Sequence, residues 1–252
     1  MTISKKPIIL NLSAALFDVD GTIVDSTGPI GDFWRAFAKD KPYFDPEYVI
    51  DISHGWRTFD VIAKFAPDFA KPDYVTQLEG SVPDLYGSTA KEIPGSIKLV
   101  SDLLKLEREY SLNNQRIAIA TSGTYLMATK WFKILGLEVP KVFITAESVQ
   151  KGKPDPEPYL LGRSSLGYEK KGTVVVFEDA QAGIEAGLAA DCLVIGIAST
   201  YNKDEVKSFG ADIVVPSLEG IHVDGYDKES DTFRLVINDY SFANERVFQL
   251  QT

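Results

Sequence analysis

Asp18-Val19-Asp20-Gly21-Thr22 puts two carboxylates two residues apart, followed by a glycine that lets the backbone turn sharply. Like charges so close repel, so the pair calls for a divalent cation, a shared proton, or separate roles. Good turn formers at a strand end would give the same string. Three more groups follow along the chain. Thr121-Ser122-Gly123-Thr124 offers hydroxyls and free N–H groups ahead of a helical pattern, a place that favours phosphate and equally suits ordinary capping. Lys153 lies in Lys151-Gly152-Lys153-Pro154-Asp155-Pro156, a loop too proline-rich to become helical before Pro156. Glu178-Asp179 is a second acidic pair and leads into Ala182-Gly183-Ile184.

These groups need a scaffold that brings distant segments together. Ala14 to Phe17, Arg116 to Ala120, Thr173 to Phe177 and Leu193 to Ile197 read as apolar strands, and each chemical group stands just beyond or near one. Ser96 to Leu106 puts Ile97, Val100, Leu103 and Leu104 on one helical face. Tyr125 to Leu135 groups Met127, Trp131, Ile134 and Leu135. Alternating strands and helices, with strands such as Val174-Val175-Val176-Phe177 apolar throughout, predict an α/β, doubly wound, Rossmann-like parallel sheet covered on both faces. In such a sheet, ligands bind at the carboxyl ends of the strands.

The roughly ninety residues between the first two strands exceed what a βαβ crossover requires. Phe33, Trp34 and Phe37 share one helical face there, and Phe59, Ile62, Ala63 and Ala66 another. Residues 26–92 are therefore expected to form a helical insert, left near Pro94-Gly95, in a core made of 1–25 and 93–252. Within the tail, His222 to Asn238 is expected to form an antiparallel hairpin.

Composition narrows the function classes. The 252 residues are 44% hydrophobic and 25% charged, as in a folded soluble protein, with a net charge of −10 that suits neither a nucleic-acid backbone nor an anionic membrane. The single cysteine, Cys192, rules out a disulfide framework and favours a reducing, cytoplasmic setting. The longest uncharged stretch, Ile117 to Thr129, is too short for a membrane helix. Lys5 and Lys6 precede an uncharged run, Pro7 to Phe17, that superficially resembles a signal sequence. Asn11 and Ser13 interrupt it and no small-residue cleavage site follows, so one buried strand is expected. No partner-binding motif is evident, and a monomer acting on a small molecule is expected.

The order acid pair, hydroxyl turn, lysine, acid pair resembles the haloacid dehalogenase superfamily of phosphotransferases. The resemblance implies that Asp18 attacks phosphorus to form an aspartyl-phosphate, and that Asp20 is the acid/base of both half-reactions. It implies that Thr121 binds the phosphoryl oxygens, with Gly21, Thr22, Ser122 and Gly123 around them, while Lys153 neutralises charge. Mg²⁺ would be held by the carboxylates of Asp18 and Asp179 and the carbonyl of Asp20, with Glu178 supporting from behind. Phosphoryl transfer asks for this kit of positioning, metal and donors.

The insert then corresponds to the family's helical cap, and His54, Gly55 and Arg57 of Ser53-His54-Gly55-Trp56-Arg57-Thr58 become substrate-binding candidates. By themselves, Arg57 pairing with a surface acid and a structural His54 would explain that stretch. Lys39 to Asp45, Ile52 to Thr58, Ala63 to Ala70, Trp131-Phe132 and Pro156 to Tyr159 look like the glycerol-1-phosphatase branch, related to 2-deoxyglucose-6-phosphate phosphatases. The implied substrate is a small phosphorylated polyol, or alternatively a sugar phosphate. A sugar phosphomutase and a non-catalytic phosphate-binding protein are the rival classes. Ala36, Ala38, Tyr125 and Asp155 depart from the branch's pattern by losing polar groups near the cap entrance and site rim, and are expected to bear on substrate preference by admitting a bulkier sugar phosphate.

Overall fold

The computed structural model describes residues 6–110, 112, 115–168 and 173–242. The parts of the expected core at 1–5, 111, 113–114, 169–172 and 243–252 lie outside the described residues. Pro7 to Phe17 forms two strands rather than one. Ile8–Leu12 (β1) alternates buried and exposed side chains, whereas Ala14–Phe17 (β2) is buried throughout. Between them the chain changes sheets, with the Ser13 N–H donating to the Thr173 carbonyl at 2.8 Å.

Val24–Asp25 (β3) precedes five helices: Thr27–Ala38 (α1), Pro46–Ile52 (α2), Thr58–Phe65 (α3), Pro72–Gly80 (α4) and Val82–Tyr86 (α5). Lys91–Glu92 (β4) then pairs antiparallel with β3, so the helical segment enters and leaves through a two-residue ribbon. Strands that short carry no hydrophobic alternation to read.

The chain continues through Ser96–Glu109 (α6), Ile117–Ala120 (β5), Tyr125–Leu135 (α7), Val142–Ile144 (β6), Glu157–Ser165 (α8) and Val174–Glu178 (β7). Gln181–Ala189 (α9), Leu193–Ile197 (β8), Lys203–Ser208 (α10) and Ile213–Val215 (β9) follow. Last come Ile221–Asp227 (β10), Thr232–Ile237 (β11) and Ser241–Phe242 (β12). The main sheet runs β12-β9-β8-β7-β2-β5-β6, with six parallel strands and β12 antiparallel at one edge. Strands β6 and β9 are three-residue additions to those the sequence marks. A second sheet pairs β11 with β10 on one side and β1 on the other.

Alternate residues of β2 and β7 feed two apolar layers. Ala15, Phe17, Val175 and Phe177 face one layer, and Ala14, Leu16, Val174 and Val176 the other. The Phe17 and Phe177 rings stack at 4.4 Å between centroids. Because β2 lies between β5 and β7, the chain winds to opposite sides of it, and its carboxyl end is the sheet's switch point.

Helix faces differ from the periodicity in detail. Helix α1 buries Phe33, Trp34 and Phe37 as the spacing requires. Helix α3 instead buries Thr58, Val61 and Ile62, leaving Ala63 exposed. On α7, Met127, Ala128, Trp131 and Phe132 are buried while Ile134 is 49% exposed. Helices α4 and α5 pack against α7. Among the described residues, no helix is long and apolar enough to cross a membrane.

Leu16 is fully buried against Gly162 of α8, where an added Cβ would fall 2.3 Å from the leucine Cδ2. Leu16→Ala is expected to lower the unfolding free energy by about 2–5 kcal/mol, read as a reduced urea midpoint at an unchanged m-value.

Candidate active site

Asp18 continues β2, its N–H donating to the Phe177 carbonyl at 3.1 Å. Gly21 then turns the chain at φ +84°, and a Cβ there would lie 2.1 Å from Asp179 Oδ2. Only glycine meets both demands. The buried Lys153 ammonium, delivered by the loop before α8, donates to Asp18 Oδ1 at 2.6 Å and Glu178 Oε1 at 2.7 Å. Glu178 Oε1 also accepts from the Tyr159 hydroxyl at 2.8 Å, and Oε2 from the N–H groups of Asp179 and Ala180 at 3.0 and 3.2 Å. Gly183 of α9 makes room, since a Cβ there would overlap Glu178 Oε1 at 1.6 Å.

Asp18, Glu178 and Asp179 each bring an oxygen within 4.8 Å of the others, a buried group that could hold a metal ion. Four donors already occupy the lone pairs of Glu178. Asp18 and Asp179 therefore remain as the carboxylates free to ligate. One ammonium among three carboxylates leaves two negative charges uncompensated when all are ionised, a deficit that suits a divalent cation.

The titration behaviour agrees with that deficit. Burial pushes the Asp18 carboxyl well above its ordinary value, with Lys153 opposing and the neighbouring carboxylates adding. Burial, then the charge of Glu178, pushes Asp179 up to about 7. Asp20 stands apart from the cluster. Its Oδ1 accepts from the Ser26 hydroxyl at 2.6 Å, and burial outweighs that bond to raise its carboxyl to about 6. Burial works against the Lys153 ammonium, but Asp18 and Glu178 outweigh it and hold the proton firmly.

A cavity of about 70 Å³ lies between these strand ends and the inserted helices. Asp18, Asp20, Gly21, Thr121, Ser122 and Gly123 line its core side. Thr121 Oγ1 accepts from the Gly123 N–H at 2.9 Å and so closes the hydroxyl turn. Ser122 donates to the Gly55 carbonyl at 2.7 Å, joining core to insert. His54 also lines the cavity, edge-on to Tyr201 at 5.6 Å between centroids, and burial lowers its imidazole from the ordinary value.

Two expected substrate contacts are not on this wall. Thr22 is fully buried behind Asp179 and donates to its Oδ1 at 3.3 Å. Arg57 uses all five N–H donors elsewhere. It grips Asp60 at 2.7 and 2.9 Å and the carbonyls of Ala146, Val149 and Gln150 at 3.4, 3.0 and 3.0 Å. It pairs with a nearby acid and fastens the insert to the loop that precedes Lys153, leaving no donor for a phosphate. Ala36, Ala38, Tyr125 and Asp155 likewise lie off the cavity wall. Tyr125 is 55% exposed and packs edge-on to Phe143.

Sequence reasoning missed Glu79. It sits in α4 amid a mostly polar string, and its partners lie 21 and 45 residues away, so no local spacing marks it. Buried on the cavity wall, its Oε1 accepts from the Thr58 hydroxyl at 2.6 Å and its Oε2 from the Thr124 N–H at 2.8 Å. Burial raises its carboxyl from 4.5 to about 7 despite the hydrogen bonds from Thr58 and from the N–H and side chain of Thr124. A raised native value means that its stabilising contribution is complete below about pH 4.5 and is lost as pH climbs through about 7. The stability difference between wild type and Glu79→Gln is therefore expected to fall by about 3 kcal/mol over that window, measured by urea unfolding at several pH values.

The description "haloacid dehalogenase-like hydrolase" belongs to a family model that matches residues 12–191. The chain is 53% identical to glycerol-1-phosphate phosphohydrolase 2 of Saccharomyces cerevisiae, over 97% of this chain and 98% of that one. It is 37% identical to 2-deoxyglucose-6-phosphate phosphatase 2 of the same yeast, over 84% of this chain and 91% of the other. A crystal structure of a hydrolase from Pseudomonas syringae superposes with a TM-score of 0.66 at 22% identity, covering 82% of this chain and 94% of that chain; it speaks to the fold alone. With the family model spanning well over half the chain, and the strand-end carboxylates, Lys153 and hydroxyl turn gathered at one edge of the sheet, the protein belongs to the haloacid dehalogenase-like hydrolases.

Proposed function

We propose that this chain is a Mg²⁺-dependent phosphomonoesterase that hydrolyses glycerol phosphate to glycerol and phosphate, with residues 26–92 acting as a cap over a core of 1–25 and 93–252. The observation that carries the reading is the 53% likeness to a glycerol-1-phosphate phosphohydrolase, which runs almost end to end and so includes the inserted helices that wall the cavity. The likeness to the 2-deoxyglucose-6-phosphate phosphatase is weaker, at 37%.

In this reading an Asp18 oxygen attacks phosphorus and the bond from phosphorus to the ester oxygen breaks. Asp20, partly protonated near neutral pH at its raised value of about 6, gives its proton to the departing alkoxide. Asp20 then takes a proton from water, which attacks phosphorus, releases phosphate and restores the Asp18 carboxylate. Lys153 keeps Asp18 oriented and offsets its charge, and Glu178, fixed by four donors, keeps Lys153 in place. The Thr121 hydroxyl on the cavity wall donates to the phosphoryl oxygens, since the N–H groups of Gly123, Thr124 and Tyr125 are taken by Thr121, Glu79 and Glu147. Asp18 and Asp179, with the carbonyl of Asp20, would hold Mg²⁺, which when bound supplies positive charge against the phosphoryl oxygens. The inserted helices exclude water from the first step.

Asp18→Asn is expected to cut phosphate release by at least about 10³-fold, and full release by that variant would remove the mechanism. In a panel of glycerol, triose, pentose and hexose phosphates, glycerol phosphate is expected to give the highest kcat/KM, and chelation of Mg²⁺ to abolish all turnover. A hexose phosphate ranking first would move the assignment to the sugar-phosphate branch.

A further inference from the structure

The geometry points to Glu79 as a specificity-determining residue whose carboxyl takes a hydrogen bond from a hydroxyl on the carbon chain of the bound ester; this rests on the phosphomonoesterase reading above. Among the described residues, Glu79 is the one acid that the inserted helices contribute to the cavity wall, and it is 4% exposed. Most of its neighbours on that side, among them Phe33, Trp34, Val61 and Val82, are apolar. A carboxyl is costly in such a wall unless it is well partnered. Here Thr58 donates to Oε1, the Thr124 N–H to Oε2, and the Thr124 hydroxyl also bonds the carboxyl, so of its four lone pairs one is left for a further donor.

The bonds also hold the carboxyl still, since they come from Thr58 of the insert and from Thr124, the last residue of the hydroxyl turn and the cap of α7. Two hydroxyls on the insert side of the wall are committed, Ser26 to Asp20 and Thr58 to Glu79 itself. An acceptor fixed in this way meets the hydroxyls of a polyol, and a chain without hydroxyls leaves it unpaired, which is how a site rejects the analogue.

The test compares glycerol phosphate with propyl phosphate in wild type, Glu79→Gln and Glu79→Asp, with thermal melts to follow folding. Wild type is expected to prefer glycerol phosphate by at least about tenfold in kcat/KM, mainly through KM. Glu79→Gln is expected to shrink that preference to about twofold, and Glu79→Asp, whose acid is one methylene shorter, to retain part of it. Equal proportional losses on both esters, or a preference unaltered in both variants, would overturn the proposal by leaving Glu79 only a structural role. So would a wild type that turns over both esters equally, whether or not the variants fold. Release of phosphate from neither ester by wild type, in contrast, would remove the phosphomonoesterase reading itself and this proposal with it.

Discussion

One buried ammonium among three buried carboxylates governs this molecule. Lys153 touches Asp18 and Glu178, and Asp179 lies within the same few ångströms. Burying these charges is tolerable only when each has partners, and the partners come from four separate stretches of chain. Strand β2 delivers Asp18 and β7 delivers Glu178 and Asp179. The loop before α8 delivers Lys153, and α8 itself delivers Tyr159. Gly21 and Gly183 are the points where a single extra methyl would displace the cluster. The parallel order β7-β2-β5 is what allows such convergence, because it turns all these strand ends to one edge.

The insert meets the core through polar joints as well as apolar packing. Ser122 reaches the Gly55 carbonyl, Arg57 reaches three carbonyls in residues 146–150, and Glu79 takes the Thr124 N–H. Each joint crosses from insert to core, and between them lies the cavity. The apolar packing is continuous across the boundary as well, since α4 and α5 pack on α7 and Phe33, Val61 and Val82 share one buried cluster with Met127 and Trp131. The chain crosses between insert and core only at the β3–β4 ribbon.

Much of the core was legible because its signals are local. Near-continuous apolar runs ending in Asp18 or at Glu178 can be read without knowing their neighbours, and so can a hydroxyl turn ahead of a 3.6-residue pattern. Other features left little local trace. Strands β6 and β9 have three residues each, and β3 and β4 two. The split of Pro7 to Phe17 into strands of different sheets depends on partners more than 150 residues away. Which face of α7 is buried depends on neighbours distant in the chain, α4 and α5 among them.

The amino-acid sequence by itself determined the chemistry. The identities and order of Asp18, Asp20, Thr121, Lys153 and Glu178-Asp179 are what a phosphoryl-transfer site requires, and their position at strand ends follows from the hydrophobic pattern beside them. Tertiary structure alone decided which side chains still have donors or lone pairs to offer. Thr22 is spent behind Asp179, Arg57 is spent on Asp60 and backbone carbonyls, and Glu178 is full, while Glu79 retains acceptor capacity at the cavity. Hydrogen-bond capacity is consumed by whichever partners the fold brings within about 3 Å, and those partners lie too far apart in the chain for any spacing rule to reveal them.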